Sequence, residues 1–201
     1  MKTIRYSKDD KEKIVKALKK GGLVAFPTDT VFGLACIMEE KAIKKVYAAK
    51  GRSFDKPLPM MCASLNMIKE VAYVNELAEK IAEKFMPGAL TLVFKKKDEI
   101  PSYVTNGKDS IGIRIPDDDF ILGLINDLGL PLMVTSANIS GEGSLLNWED
   151  VLEAMDGKIA GIVCEDARGQ TASTIIDVSG EEIKMLREGP MSLDAIREAL
   201  Q

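Results

Sequence analysis

Apolar positions between about residue 8 and 20 recur every three or four residues. Ile14, Val15 and Leu18 share one face, and Ser7 stands where an N-cap would. This periodicity predicts an amphipathic helix that ends at Gly21-Gly22. The pattern then becomes a short continuous apolar run, 23–26, followed by a polar loop and a second run, Leu34-Ala35-Cys36-Ile37; both read as strands. A helix is predicted over 40–49 with Ile43, Val46 and Tyr47 inward, then a short strand over 58–62. Helices over 64–71 and 75–86 follow, the second stopped by Pro87-Gly88. Strands are predicted over 90–94 and 111–115. Phe120, Ile121, Leu124, Ile125 and Leu128 mark a helix over 118–128, and 131–135 reads as another strand. The remainder predicts a helix over 148–155, strands over 159–163, 174–178 and 183–186, and a closing helix over 192–200.

Helices and strands interleave without strict alternation, and there is no repeat, low-complexity linker or break in composition. The expected fold is α/β: one domain over 1–201, a twisted mixed β-sheet with flanking helices. Ligand sites of such sheets gather at strand ends and the adjoining loops.

Composition narrows the chemistry. The chain has 201 residues, 46% of them hydrophobic and 29% charged, with a net charge of -4. This is ordinary for a globular protein and argues against a generally basic nucleic-acid binder. No apolar run is long enough to span a membrane, and the N-terminus lacks the apolar core of a signal peptide, so a cytoplasmic protein is expected. There is no histidine. A Ser-His-Asp triad, a His-ligated metal and an imidazole base are thereby excluded. Cys36, Cys62 and Cys164 are widely spaced and lie in or beside apolar runs; they read as core thiols of a reducing compartment, without a metal site.

Four stretches share one chemistry. Ser136-Ala137-Asn138-Ile139-Ser140-Gly141 and Pro27-Thr28-Asp29-Thr30-Val31-Phe32-Gly33-Leu34 each follow an apolar run, placing small hydroxyl and amide groups at strand ends. Lys50-Gly51-Arg52 closes a helical pattern with Lys56-Pro57-Leu58 behind it, and Arg114 sits inside Ile113-Arg114-Ile115-Pro116. Strand alternation turns Arg114 away from both isoleucines, toward a groove while they face the core. Strand-end hydroxyls with Lys and Arg cations suit an anionic ligand. No phosphate-binding loop of the Walker or dinucleotide type is present, and the tyrosines are too dispersed for a base-stacking platform.

Together these motifs resemble the YrdC-like threonylcarbamoyl-AMP synthases, in their short, single-domain form. The resemblance runs from about Gly21 to Gly189 and also takes in Pro87-Gly88-Ala89-Leu90-Thr91, Ser173-Thr174-Ile175-Ile176-Asp177 and Leu186-Arg187-Glu188-Gly189. It implies a sheet curved around a basic cleft. It also implies an enzyme, a nucleotidyltransferase that forms L-threonylcarbamoyladenylate and pyrophosphate from L-threonine, bicarbonate and ATP, with Mg²⁺ accompanying the ATP. The product would serve N6-threonylcarbamoylation of adenosine 37 in tRNA, with transfer proteins and tRNA or double-stranded RNA as partners. Carried residue by residue, Thr30, Arg114 and Ser173 would contact threonine. Arg52, Lys56, Ser110, Ser136, Asn138, Ser144 and Arg187 would hold ATP, with Lys50 and Arg52 acting in catalysis. Phe32, Met61, Val134 and Ala89 stand where members of the family place Tyr, His, Thr and Pro, which touches threonine contact more than the nucleotide site. Two other readings are a non-enzymatic double-stranded RNA or tRNA-binding module and a carbamoyl-adenylate enzyme of the hydrogenase-maturation type. The net charge counts against the first and the length against the second.

Overall fold

The computed structural model describes residues 2–200. The elements run β1 (Ile4–Tyr6), α1 (Lys11–Lys19), β2 (Val24–Phe26), β3 (Gly33–Ile37), α2 (Glu40–Lys50), β4 (Met60–Met61), α3 (Leu65–Val71), β5 (Ala72–Tyr73), α4 (Glu76–Phe85) and β6 (Leu90–Lys96). Then come α5 (Ser102–Thr105), β7 (Ser110–Arg114), α6 (Asp119–Leu128), β8 (Leu132–Ser136), α7 (Trp148–Met155), β9 (Gly161–Val163), β10 (Thr174–Asp177), β11 (Lys184–Arg187) and α8 (Leu193–Glu198).

Helix boundaries follow local chemistry. Asn75, Asp118 and Asn147 each accept a backbone N–H three residues on, satisfying a donor that the first helical turn leaves free. Gly51 and Gly129 end α2 and α6 at φ of 58° and 67°, where a side chain would strain. The start of the first helix differs from expectation: a 3₁₀ turn occupies Lys8–Asp10, and the Asp10 carboxylate accepts the Ser7 N–H at 3.0 Å. The sequence pattern did not reveal β1, β5 or α5, because elements of two to four residues are too short to show a period.

The eleven strands of the described residues join one mixed sheet in the order β1-β9-β2-β3-β8-β4-β7-β6-β10-β11, with β5 paired to β6. The pairs β1/β9, β2/β9, β4/β7 and β6/β10 are parallel and the others antiparallel. The expected mixed α/β architecture is therefore present. One continuous core joins the sheet to its helices through residues such as Phe26, Leu34, Leu92, Ile113 and Leu124. No described helix is long and apolar enough to cross a membrane.

Cys36 and Cys62 are buried, as expected of core thiols, and burial pushes the Cys36 thiol up to about 12. Cys164 departs from expectation: it is half-buried, because it lies just past the end of the edge-proximal strand β9.

Candidate functional site

The strand register builds the floor of a cleft of about 330 Å³. Met61 pairs with Arg114, Val93 with Gly112, and Ile175 with both Thr91 and Arg187. Because side chains alternate, Arg114, Gly112, Thr91 and Val93 emerge on one face. A Cβ on Gly112 would lie 3.4 Å from a Thr91 methyl and 3.9 Å from Pro59, so this glycine keeps the floor low between them. The β2–β3 loop forms one wall, and the loop after α2 forms another.

Arg114 is 4% exposed. Its Nη1 donates to Asp29 Oδ2 at 3.3 Å, and its Nη2 lies 3.2 Å from Asp29 Oδ1, out of line for a hydrogen bond. Burial pulls the guanidinium below its ordinary value, and Asp29 opposes that pull. Asp29 also accepts the Asp117 N–H at 3.3 Å, which ties the two loops together. Buried charges persist only when paired and hydrogen-bonded, and Asp29 supplies that pairing. In the sequence, only its place as a single acidic residue between Thr28 and Thr30 hints at this role.

Thr30 is buried in the same wall, and its Oγ1 lies 3.0 Å from Thr28 Oγ1. Ser173 Oγ lies 2.8 Å from Thr91 Oγ1, whose only sign in the sequence is its place at the end of Pro87-Gly88-Ala89-Leu90-Thr91. Arg187 grips Ser173, donating from Nε at 3.0 Å and Nη2 at 2.8 Å to its carbonyl, and from Nη2 at 3.2 Å to its hydroxyl. Two glycines allow this closeness. A Cβ on Gly169 would sit 2.3 Å from the Thr30 carbonyl oxygen, and one on Gly189 would sit 2.5 Å from the Thr174 nitrogen. The segment before Ser173 is held on the Thr28 loop by Arg168, whose N–H donates to the Thr28 carbonyl at 3.0 Å.

On the other wall, Arg52 donates from Nε to the Lys56 carbonyl (2.9 Å) and from Nη2 to the Pro57 carbonyl (3.2 Å), and it lines the cleft. Ser136 and Ser144 also line the cleft. The structure thus gathers Thr30, Arg52, Arg114, Ser136, Ser144, Ser173 and Arg187 around one space. Among the described residues no carboxylate lines it, and no group of three His, Cys, Asp or Glu could hold a metal.

Four candidates sit elsewhere. Lys50 is 1% exposed and lies beneath the wall, not in it. Its ammonium donates to the Ser136 carbonyl, to the Asn138 carbonyl at 2.6 Å and to Asn138 Oδ1 at 3.3 Å. Asn138 is committed to that clasp, and its amide is spent on the Ile139 and Glu142 carbonyls. Both residues therefore shape the Ser136 loop from behind, because a buried ammonium must find acceptors within the protein. Burial, aided by the Arg52 charge, lowers Lys50 to about 8. Lys56 is exposed on the loop and presents its backbone carbonyl inward. Ser110 pairs with Lys95, two residues beyond Gly112 on the same face of β7, so it extends the floor past the enclosed part. Met61 and Val134 line the cleft, and Phe32 is fully buried in its wall. Met60 and Met61 belong to both the cleft wall and the core.

The Sua5_yciO_yrdC family model, described as Telomere recombination, matches residues 16–189. A Methanocaldococcus jannaschii protein provisionally named as a threonylcarbamoyl-AMP synthase is 37% identical over 203 residues, which cover 98% of this chain and 95% of that one. The threonylcarbamoyl-AMP synthase of Pyrococcus abyssi is 38% identical over 91% of this chain, which spans 55% of that relative. The crystal structure of P. abyssi Sua5 complexed with L-threonine superimposes with a TM-score of 0.89 at 35% identity, covering 98% of this chain and 60% of that one. The match extends over strands, loops and glycines that build the cleft, and the chain belongs to the Sua5/YciO/YrdC family.

Proposed function

We propose that this protein is a threonylcarbamoyl-AMP synthase. In the reaction, the threonine amine and bicarbonate give a carbamate and water. A carbamate oxygen then bonds to the α-phosphorus of ATP while the bond from that phosphorus to the bridging oxygen breaks, and pyrophosphate leaves. No protein nucleophile is needed; the demand is to hold two anions together and stabilise the charge that moves between them.

One observation carries this reading. Three arginines, Arg52, Arg114 and Arg187, converge with seven hydroxyl side chains on a cleft that no carboxylate among the described residues lines. Arg114, Thr30 and Ser173, at one end, suit the carboxylate and polar groups of an amino acid. Arg52, Ser136, Ser144 and Arg187 suit the nucleotide and its phosphates, with Lys56 and Ser110 along its open side. Mg²⁺ would enter with the ATP, as part of the substrate. Lys50 acts on the reaction through the Ser136 loop. The same cations could track nucleic-acid phosphates, but the net charge of -4 does not favour that as the main role. The adenylate would pass to transfer proteins acting on tRNA, and the unpaired thiols are compatible with the cytoplasm where tRNA is modified.

The test is mass spectrometry of the product formed from ATP, L-threonine and bicarbonate. Threonylcarbamoyl-AMP that requires all three is expected. Pyrophosphate release indifferent to threonine would overturn the reading.

A further inference from the structure

The hydroxyl of Thr28, 2% exposed, makes three short contacts. It lies 2.7 Å from the Val31 carbonyl, 3.0 Å from the Thr30 N–H and 3.0 Å from Thr30 Oγ1. A hydroxyl has one proton and two lone pairs. The Val31 carbonyl can only accept, so the Thr28 proton goes there. The Thr30 N–H can only donate and takes one lone pair. The contact that remains is therefore Thr30 Oγ1–H donating to the second lone pair of Thr28.

We infer that Thr28 is a positioning residue that fixes the proton of Thr30, so that Thr30 faces the cleft with lone pairs only and selects a substrate donor there. The opposite side has complementary polarity. Ser173 Oγ already accepts from Arg187 Nη2, and one proton joins Ser173 to Thr91. Whichever of the two donates in that bond, the other keeps a proton for the ligand. The cleft thus offers an acceptor at Thr30, a donor at the Ser173–Thr91 pair and the Arg114 cation between the walls. An amino acid with an N–H or O–H donor and a carboxylate acceptor matches this set. Without Thr28 the Thr30 hydroxyl would rotate freely, and half of that match would have to be ordered on binding.

The inference rests on the amino-acid substrate proposed above, so wild type is measured first. Pyrophosphate release is followed with threonine and ATP varied in turn, for wild type, Thr28→Val and Thr28→Ser, with a melting curve for each. Thr28→Val keeps the shape and removes the hydroxyl. It is expected to raise KM for threonine about tenfold with KM for ATP within about twofold of wild type. Thr28→Ser restores the hydroxyl and is expected to recover most of the threonine affinity. If Thr28→Val does not fold, Thr28→Ala takes its place, and the Ser variant is still required to outperform it. Equal changes in both KM values, or a Ser variant as weak in threonine as the Val or Ala variant, overturn the positioning role while leaving the function intact. Wild type that ignores threonine overturns both.

Discussion

Lys50 grips Asn138, 88 residues further along the chain, through both its carbonyl and its side-chain oxygen. The Lys50 carbonyl in turn accepts the Ser140 N–H at 2.9 Å. The last residue of α2 and the loop after β8 are therefore one unit, and Ser136 is held in place by a cation that the cleft does not contain.

This clasp predicts a pH dependence of stability. Lys50 titrates near 8 in the folded protein and ordinarily at 10.5, so between these values the unfolded chain binds more protons than the folded one. Stability then rises with pH across the window. Relative to Lys50→Met, which has nothing to titrate there, wild type should gain up to about 3 kcal/mol from pH 8 to pH 10.5. Urea unfolding of both proteins at several pH values reads the difference directly. A difference that stays flat, or falls, would show that the ammonium is not buried as described.

Arg52→Ala should lower adenylate formation by about 10²–10³, the loss expected of a cleft cation that meets charge in the transition state. Arg52→Lys should recover only part, since an ammonium cannot hold the Lys56 and Pro57 carbonyls and reach the cleft together. Pyrophosphate release at saturating ATP and threonine, with melting curves, separates this from local unfolding. Turnover of the Ala variant within about threefold of wild type, under roughly 1 kcal/mol, would make Arg52 a loop anchor only.

Gly169→Ala tests the contact between the two loops. The added methyl would fall 2.3 Å from the Thr30 carbonyl oxygen and 2.6 Å from that of Asp29, both backbone atoms that cannot swing aside. A cost of about 1–3 kcal/mol is expected, with weakened threonine dependence because Thr30 must shift. Gly143→Ala, where a Cβ meets nothing within 4 Å, serves as the control. Equal melting temperatures for the two variants would count against the close approach.

The cysteines should be dispensable for turnover. Burial raises all three thiols, most strongly Cys36 and Cys62, so none is a ready thiolate. Cys164, half-buried, should react first with an alkylating reagent, and activity should survive that reaction. Complete loss of activity in a folded Cys36→Ala, Cys62→Ala, Cys164→Ser protein would reveal a missed nucleophile.

Much of this protein was legible in its sequence because much of it is local. Helices such as α4 and α6 carry their own caps and apolar faces, so Asn75 and Asp118 mark their starts without reference to the rest of the fold. The Thr30 and Ser136 motifs follow apolar runs, which puts both residues at strand ends, and alternation along 111–115 turns Arg114 toward a groove; Ser173 was legible only through the family resemblance. The absence of histidine removed an imidazole base and a His-ligated metal from the possible chemistry. The tertiary structure decided what depends on contacts between distant segments. Strands of two or three residues, such as β1 and β5, take their form from the partners they join. Lys50 and Arg52 read alike as cations two positions apart, yet the αL turn at Gly51 leads one inward to Asn138 and the other to the cleft. Asp29 acquires its role from Arg114, 85 residues away, because a buried guanidinium requires a counter-charge and the register of β7 sets which loop supplies it.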